Sequence, residues 1–450
     1  MASKSKRANQ NKISTTPDKY LIFTILIVFF KLLIIWRVTS YSLGMIHGKA
    51  WLGADGENYL NGANALNKDG IFSTDGVLNY WPAGYPLTIY FLSIFGKTFG
   101  LTTLSIFQTL IYAIAVLKFI REIQFTRINS FAPLIFLMLT ANPTLSLSSI
   151  CIGYESLAAA SFIFLITLLM YDFRIKSRKS LLISLIFISL VLSYASFIQP
   201  RFLLVALLII PTWLISRIKF YKFISLTIGA FILVSFLPAT LIFRNHSATG
   251  QNTISTNLGN TMNIGAGNTT GGYIPNPPGV KCKTANPKDS DLVKCVLKWY
   301  VSNPQKGLKL FWNKSIFFWS PWFGPEANGT MARNPWLTIH PLKNMQKTQD
   351  GVNLLYGNFG KLISWLWMLS CIYFLFSGFV FLWRKKFELR VLAKVSMIII
   401  ISSWAVTLLS IGDHRFRLPI MGMSLFLQAV GLQSNFRRKL NPIITPTKLR

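Results

Sequence analysis

The chain has 450 residues, of which 52% are hydrophobic and only 13% charged, and its mean hydropathy is +0.45. A soluble domain carries about a quarter charged residues, so a water-soluble globule is excluded. The net charge of +32 does not indicate nucleic-acid binding: the Lys and Arg residues punctuate long apolar runs, with no aromatic-interleaved basic groove, and read as topology signals and attraction to anionic lipid.

The basic start MASKSKRANQNK is expected to form a cytosolic tail, 1–19. The apolar run from Tyr20 to Trp36 is too long for a signal-peptide core and lacks a small-residue cleavage site, so it is expected to stay as a first span. An outer loop, 41–100, follows. Its last part, AGYPLTIYFLSIFGKTFG, is short and broken by Pro and Gly. Counted as a span, it would push RIKSRK (174–179), RIKFYK (217–222) and WRKKFELR (383–390) outside. Read as a helix lying at the outer surface, it leaves all three inside, as the charge rule requires.

Further spans are then expected at 101–120, 129–147, 157–172, 181–198, 202–216, 223–243, 359–382, 391–411 and 418–433. The predicted fold class is an all-α polytopic membrane protein with about ten transmembrane helices, outer-face juxtamembrane helices and one long outer loop. The predicted organisation is an N-terminal transmembrane module at 20–243, a long outer loop at 244–358, C-terminal spans at 359–433 and a basic cytosolic tail at 434–450. No internal repeat is evident, which weighs against an inverted-repeat carrier.

On this layout the outer face holds ten of the fourteen acids: Asp55, Glu57, Asp69, Asp75, Glu155, Asp289, Asp291, Glu326, Asp350 and Asp413. Carboxylates against a bilayer are costly unless solvated or used. Asp55-Gly56-Glu57 sits just after the first span, with Tyr59, Ala63 and Leu66 following at helical spacing. An acid there is either an N-cap or a general base. The segment Trp81 to Pro86, with two Pro, a Gly, Trp81 and Tyr85, suits the interface. Arg201, Arg415 and Arg417 fall at outer span ends, where they either meet lipid headgroups or clamp a phosphate. Lys314 lies on an apolar-rich stretch that approaches the same place. His414 is a further donor in that segment, and Arg244-Asn245 is expected to fix the start of the long loop. Lys31, inside the first span, reads as structural. Trp319, Trp322 and Trp336 are candidates for sugar stacking or interface anchoring. Cys282 and Cys295 share one polar loop; outside the cytosol either a disulfide or two free thiols is open to them.

DGENYLNGANAL followed by WPAGYPLTIYFLSIFG resembles the first outer loop of GT-C fold, polyprenyl-phosphate-sugar-dependent glycosyltransferases, the superfamily of protein O-mannosyltransferases and lipid A aminoarabinose transferases. NPTLSLSSICIGYESL resembles their second outer turn, LPATLIFRNHSATG with NLGNTMNIGAGN the entry to their long loop, and GDHRFRLPIMG a late Arg-Phe-Arg-Leu-Pro element. The resemblance implies transfer of a sugar from a polyprenyl-phosphate donor to an acceptor hydroxyl of a glycan, lipid or protein on the outer face; separately, the compact size and the lack of an organelle signal lead us to expect a bacterial inner membrane. It implies catalytic roles for Asp55, Glu57 and Glu155, and substrate binding by Tyr59, Tyr85, Arg201, Lys314, Arg415 and Arg417. Asp55, as base, has Glu57 in reserve; Glu155 orients the acceptor or shares a divalent ion with Asp55. No nucleotide and no nucleic acid are expected, and the metal question stays open. A transporter or flippase for lipid-linked sugars is the alternative; apart from Lys31 the spans offer it almost no buried charge.

Overall fold

The structure, a computed structural model, describes residues 18–37, 40–52, 55–266, 280, 282, 288–319, 346–348, 351–353, 357–385, 387–412 and 414–440. The first span is α1 (Lys19–Arg37). The loop after it folds into a hairpin, β1 (Ser40–Leu43) with β2 (Ile46–Lys49), then β3 (Trp51–Leu52). Three short helices follow: α2 (Gly56–Asp69), α3 (Val77–Tyr80) and α4 (Gly84–Ser93). At ten residues α4 is indeed no span.

Next come α5 (Gly100–Gln124), α6 (Ala132–Ala141), α7 (Pro143–Leu147), β4 (Cys151–Ile152), α8 (Glu155–Ile175), α9 (Arg178–Ile198), α10 (Phe202–Ile215) and α11 (Phe220–Thr249). The region expected to be a long loop carries α12 (Leu258–Gly265), α13 (Asp289–Ser302), α14 (Pro304–Phe318) and the hairpin β5 (Gln346–Thr348) and β6 (Gly351–Asn353). The chain then runs through α15 (Gly357–Trp383), α16 (Phe387–Leu409), a 3-10 turn at His414–Ile420 and α17 (Met421–Leu440). Helix therefore extends through 434–440, which the sequence assigns to a tail.

The expected ten spans are corrected to fewer. Among the described residues seven helices are long and apolar enough to cross a bilayer, or eight if the bent pair around Asn142 counts as one. The 14-residue α10 is about 21 Å long, short of the ~30 Å hydrocarbon core. In α17, Gln, Ser and Asn interrupt the apolar run and Arg437, Arg438 and Lys439 end it. The pair α6–α7 is bent by 56°. Pro143 has no N–H to continue the helix and disfavours helical backbone at Asn142, whose side chain caps α7 by accepting from the Leu145 amide at 2.9 Å.

Burial ranks the spans. The hub is α8, 83% of whose most apolar stretch is buried, whereas α1, α11 and α15 present most of theirs outward, as lipid-facing helices must. α15 crosses α17 at near-backbone contact: a Cβ on Gly378 would stand 1.9 Å from the Leu427 carbonyl oxygen.

Ion pairs gather at one end of the bundle. Asp18 pairs with Arg121, Glu122 with Arg174 and Lys176 with Glu388. Asp172, fully buried near the end of α8, takes Arg217 Nε at 2.6 Å and Nη2 at 3.0 Å, the Trp213 indole at 3.3 Å and the Ser180 hydroxyl at 3.1 Å. The other end of α8 is Glu155, about 30 Å away along the axis.

Candidate active site

The end marked by Glu155 is organised by two very short strands. β3 pairs with β4 in parallel, with Trp51 opposite Cys151 and Leu52 opposite Ile152. Three residues beyond each partner of the second pair stand Asp55, at the N-cap of α2, and Glu155, the first residue of α8. Parallel pairing thus lays two acid-bearing helix starts side by side. Gly56 makes the approach possible: a Cβ there would meet the Ile152 carbonyl oxygen at 3.1 Å and Leu52 Cδ1 at 2.9 Å. Asp55 makes no side-chain capping bond to α2, so the N-cap reading of that acid is not realised. Asp55 and Glu57 are half-buried, and Glu155 is 5% exposed.

Aromatic rings lock this arrangement. Tyr59 packs edge-on against Tyr85 at 5.1 Å and against Trp81 and Tyr154, both at 6.1 Å. The buried Tyr85 hydroxyl accepts from the Gly153 amide at 2.8 Å and donates to Gln108 Oε1 at 3.1 Å. Its burial raises the phenol's pKa, keeping it a neutral donor. Gln108 Nε2 in turn donates to the carbonyls of Cys151 at 2.9 Å and Ser149 at 3.2 Å. Tyr59 and Tyr85 therefore sit in the scaffold of the acid pair. Gln108 went unread in the sequence, although an amide within an apolar span was its signal. Lys31 belongs to the same support: it is buried, donates to the Ser149 hydroxyl at 3.2 Å and lies 4.9 Å from the Tyr112 ring centre.

The cations arrive from two distant parts of the sequence. Arg201 donates to the Tyr154 hydroxyl at 2.9 Å, and its guanidinium lies 4.7 Å from the Phe416 ring centre, in the 3-10 turn. Its Nε is buried and has no hydrogen-bond partner among the described residues. Arg417, one residue beyond Phe416, is 6% exposed; its Nη1 contacts Met368 Sδ at 3.2 Å and its guanidinium lies 6.0 Å from the Trp319 ring centre. A chain of contacts thus joins Tyr59, Tyr154, Arg201 and the Arg417 turn, at the end of the bundle where α2 and α8 start with Asp55 and Glu155. The backbone of Arg415 and His414 lies in the same turn, but their side chains are outside the described residues, as are Asp413, Glu326, Asp350, Trp322 and Trp336.

Arg417 also borders a cavity of about 310 Å³ between α6, α15 and α17. Its other walls are largely apolar, with Met138, Trp319, Trp367, Ile400 and Leu425 among them. The arrangement is a greasy slot with a guanidinium at its edge.

Lys314, expected beside the phosphate, has other partners, and Arg244 holds the loop as expected. The Lys314 ammonium donates to the Tyr300 hydroxyl at 3.0 Å and to the Leu408 carbonyl at 2.8 Å, tying α14 to the end of α16. Burial pushes its pKa down to about 7. Arg244 donates to the carbonyls of Ile71 and Ser73 and to the side chains of Asn79 and Asn245. It fastens the second half of the first outer loop to α11, the structural role the sequence allowed. Cys282 and Cys295 are disulfide-bonded beside α13. Among the described residues no three His, Cys, Asp or Glu side chains cluster as a metal site.

No family model matches this sequence, and no curated protein does. Solved structures similar to the chain include the following. Archaeal oligosaccharyltransferase AglB from Archaeoglobus fulgidus, in complex with an inhibitory peptide and a dolichol-phosphate, aligns over 96% of this chain and 52% of its own, with 11% identity and a TM-score of 0.47. The apo form of the Archaeoglobus fulgidus oligosaccharyltransferase gives the same identity and TM-score, covering 96% and 53%. ArnT from Cupriavidus metallidurans, bound to undecaprenyl phosphate, aligns over 93% of this chain and 77% of its own, with 11% identity and a TM-score of 0.33. The chain spans about half the length of the oligosaccharyltransferases.

Proposed function

We propose that this protein is a membrane glycosyltransferase that moves one sugar from a polyprenyl-phosphate donor to an acceptor hydroxyl at the outer face. The observation that carries this reading is the β3–β4 pairing, which sets Asp55 beside Glu155 in a site whose other wall holds Arg201 and Arg417. The apolar slot next to Arg417 suits an isoprenoid chain, with the guanidinium where a lipid phosphate would lie. Arg201, with a buried Nε still able to donate, is a second phosphate ligand.

The chemistry follows from these positions. The acceptor hydroxyl gives its proton to the Asp55 carboxylate as its oxygen attacks the sugar C1. The bond from C1 to the phosphate oxygen breaks, and the electron pair leaves with the polyprenyl phosphate. Charge grows on that phosphate through an oxocarbenium-like transition state, where fixed cations act most strongly. Glu155 orients the acceptor, and Glu57, in the first turn of α2, is the reserve acid. A single displacement inverts C1.

Two features support an outward site. Basic segments crowd the opposite end, beside Arg174 and Arg217, as the charge rule places the cytosol. The Cys282–Cys295 disulfide fits an oxidising compartment on the acid side. We assign the acid-bearing end to the outer face on the same reading.

The test is release and transfer of radiolabelled sugar from a polyprenyl-phosphate donor by the purified protein. Asp55→Asn should cut transfer by about 100-fold or more while leaving membrane insertion and thermal unfolding unchanged. Full transfer by that variant would remove Asp55 as base. Movement of the lipid-linked sugar across vesicles without bond cleavage would favour a flippase instead.

A further inference from the structure

At the opposite end of the bundle a second cavity, of about 390 Å³, opens between the ends of α5 and α8 and the start of α16. Its floor is apolar, formed by Met170, Phe173, Leu389 and Leu392, with Phe125 at the rim. Its polar wall is made of Glu122, Arg127, Arg174, Lys176 and Glu388, with Thr126. Two of the cations are neutralised: Arg174 holds Glu122 through Nε at 3.0 Å and Nη2 at 2.9 Å, and Lys176 holds Glu388 at 2.6 Å. Arg127 is exposed and makes no hydrogen bond or ion pair among the described residues. The wall therefore carries one cation beyond its carboxylates.

Lys176 adds an independent sign of a built feature. It is the one non-glycine residue with positive φ among those described, at +55°. That helix-ending conformation ordinarily falls to glycine or asparagine. A lysine held there puts its charge over the cavity at some backbone cost, as functional sites do.

We propose that this cavity seats one anionic phospholipid of the leaflet opposite the catalytic face. Its phosphodiester, with a single negative charge, would meet Arg127 and the flanking Arg174 and Lys176, and an acyl chain would lie on the Met170–Leu392 floor. Basic pockets between spans on the cytosolic side take lipid headgroups in this way. The lipid would staple α5, α8 and α16 together where α8 carries the catalytic acid at its other end. The site uses no residue of the transfer chemistry.

Native mass spectrometry of the full chain, titrated with phosphatidylglycerol and phosphatidylcholine, tests this. Wild type should retain one phosphatidylglycerol with at least about tenfold preference over phosphatidylcholine, the scale of one or two charge-assisted contacts. Arg127→Gln, which breaks no internal bond, should remove most of that preference with unchanged unfolding temperature. Arg178→Gln, on the same face but outside the cavity, should keep it. Equal binding of the two lipids, an Arg127→Gln protein that binds like wild type, or an equal loss in Arg178→Gln would overturn the proposal. So would full competition by inorganic phosphate, which would make the ligand a soluble anion.

Discussion

Arg417 shows how one side chain can join two environments. It borders an apolar slot, against Met368 and Trp319, and belongs to the turn that Arg201 reaches through Phe416. A guanidinium in such a place offers a flat fork of donors that an ammonium lacks. Arg417→Lys keeps the charge and loses the fork. We expect the donor KM to rise about tenfold, from the loss of about one charge-assisted hydrogen bond, with kcat reduced less. Steady-state transfer at varied donor concentration measures this; a kcat loss at unchanged KM would place Arg417 on the transition state alone. Lys314 makes the opposite case. It reads as a phosphate ligand in the sequence, yet its ammonium is bonded to Tyr300 and Leu408. Nothing in a single sequence reports which partner a lysine finds 94 positions away. Gln108 is more legible than Lys314, since an amide inside a span has to bond something.

At the scale of elements, the site depends on a parallel pair only two residues long on each side. Such strands have no periodicity to detect, so no pattern of residues places Asp55 beside Glu155; only the family resemblance put both at one centre. Gly56 is the weak point of that joint. Gly56→Ala would put a methyl 3.1 Å from the Ile152 carbonyl, requiring a shift of a few tenths of an ångström between the two acid-bearing turns. Catalysis is sensitive to small misplacements of its groups, whereas the nearest atom to the new methyl, Leu52 Cδ1, is the end of a flexible side chain that can swing aside at little cost to folding. We expect about a tenfold loss of kcat with an unfolding temperature close to wild type. A large fall in thermal stability would show that the glycine serves folding instead.

The docking of α14 carries its own pH dependence. Burial pulls the Lys314 pKa from 10.5 to about 7, so between those values the unfolded or undocked state binds more protons than the docked one. Docking should therefore strengthen as pH rises above about 7 and be weakest below it. Hydrogen exchange across Pro304–Phe318, corrected for intrinsic rates, should show more protection at pH 8.5 than at pH 6, both chosen to bracket that midpoint. Lys314→Met should flatten the difference.

Over the whole molecule, the long apolar runs made the spans legible, because a bilayer demands about twenty such residues in succession. The count is less legible: the run at α10 and the start of α17 look like spans in the sequence, although one is too short and the other too polar by the same rule. Sidedness is the claim on which function turns, since an acid site facing the cytosol would meet nucleotide sugars rather than lipid-borne ones. Lys68, exposed near the end of α2, and Arg178, exposed at the start of α9, report the two faces. With Cys151 and Cys371 replaced by Ser and the Cys282–Cys295 bridge kept, Lys68→Cys and Arg178→Cys each leave one thiol. An impermeant maleimide applied to intact spheroplasts should label Lys68→Cys and spare Arg178→Cys until the membrane is opened. The reverse pattern would turn Asp55, Glu155 and Arg417 inward together, and a polyprenyl-phosphate donor on the outer leaflet could no longer reach them.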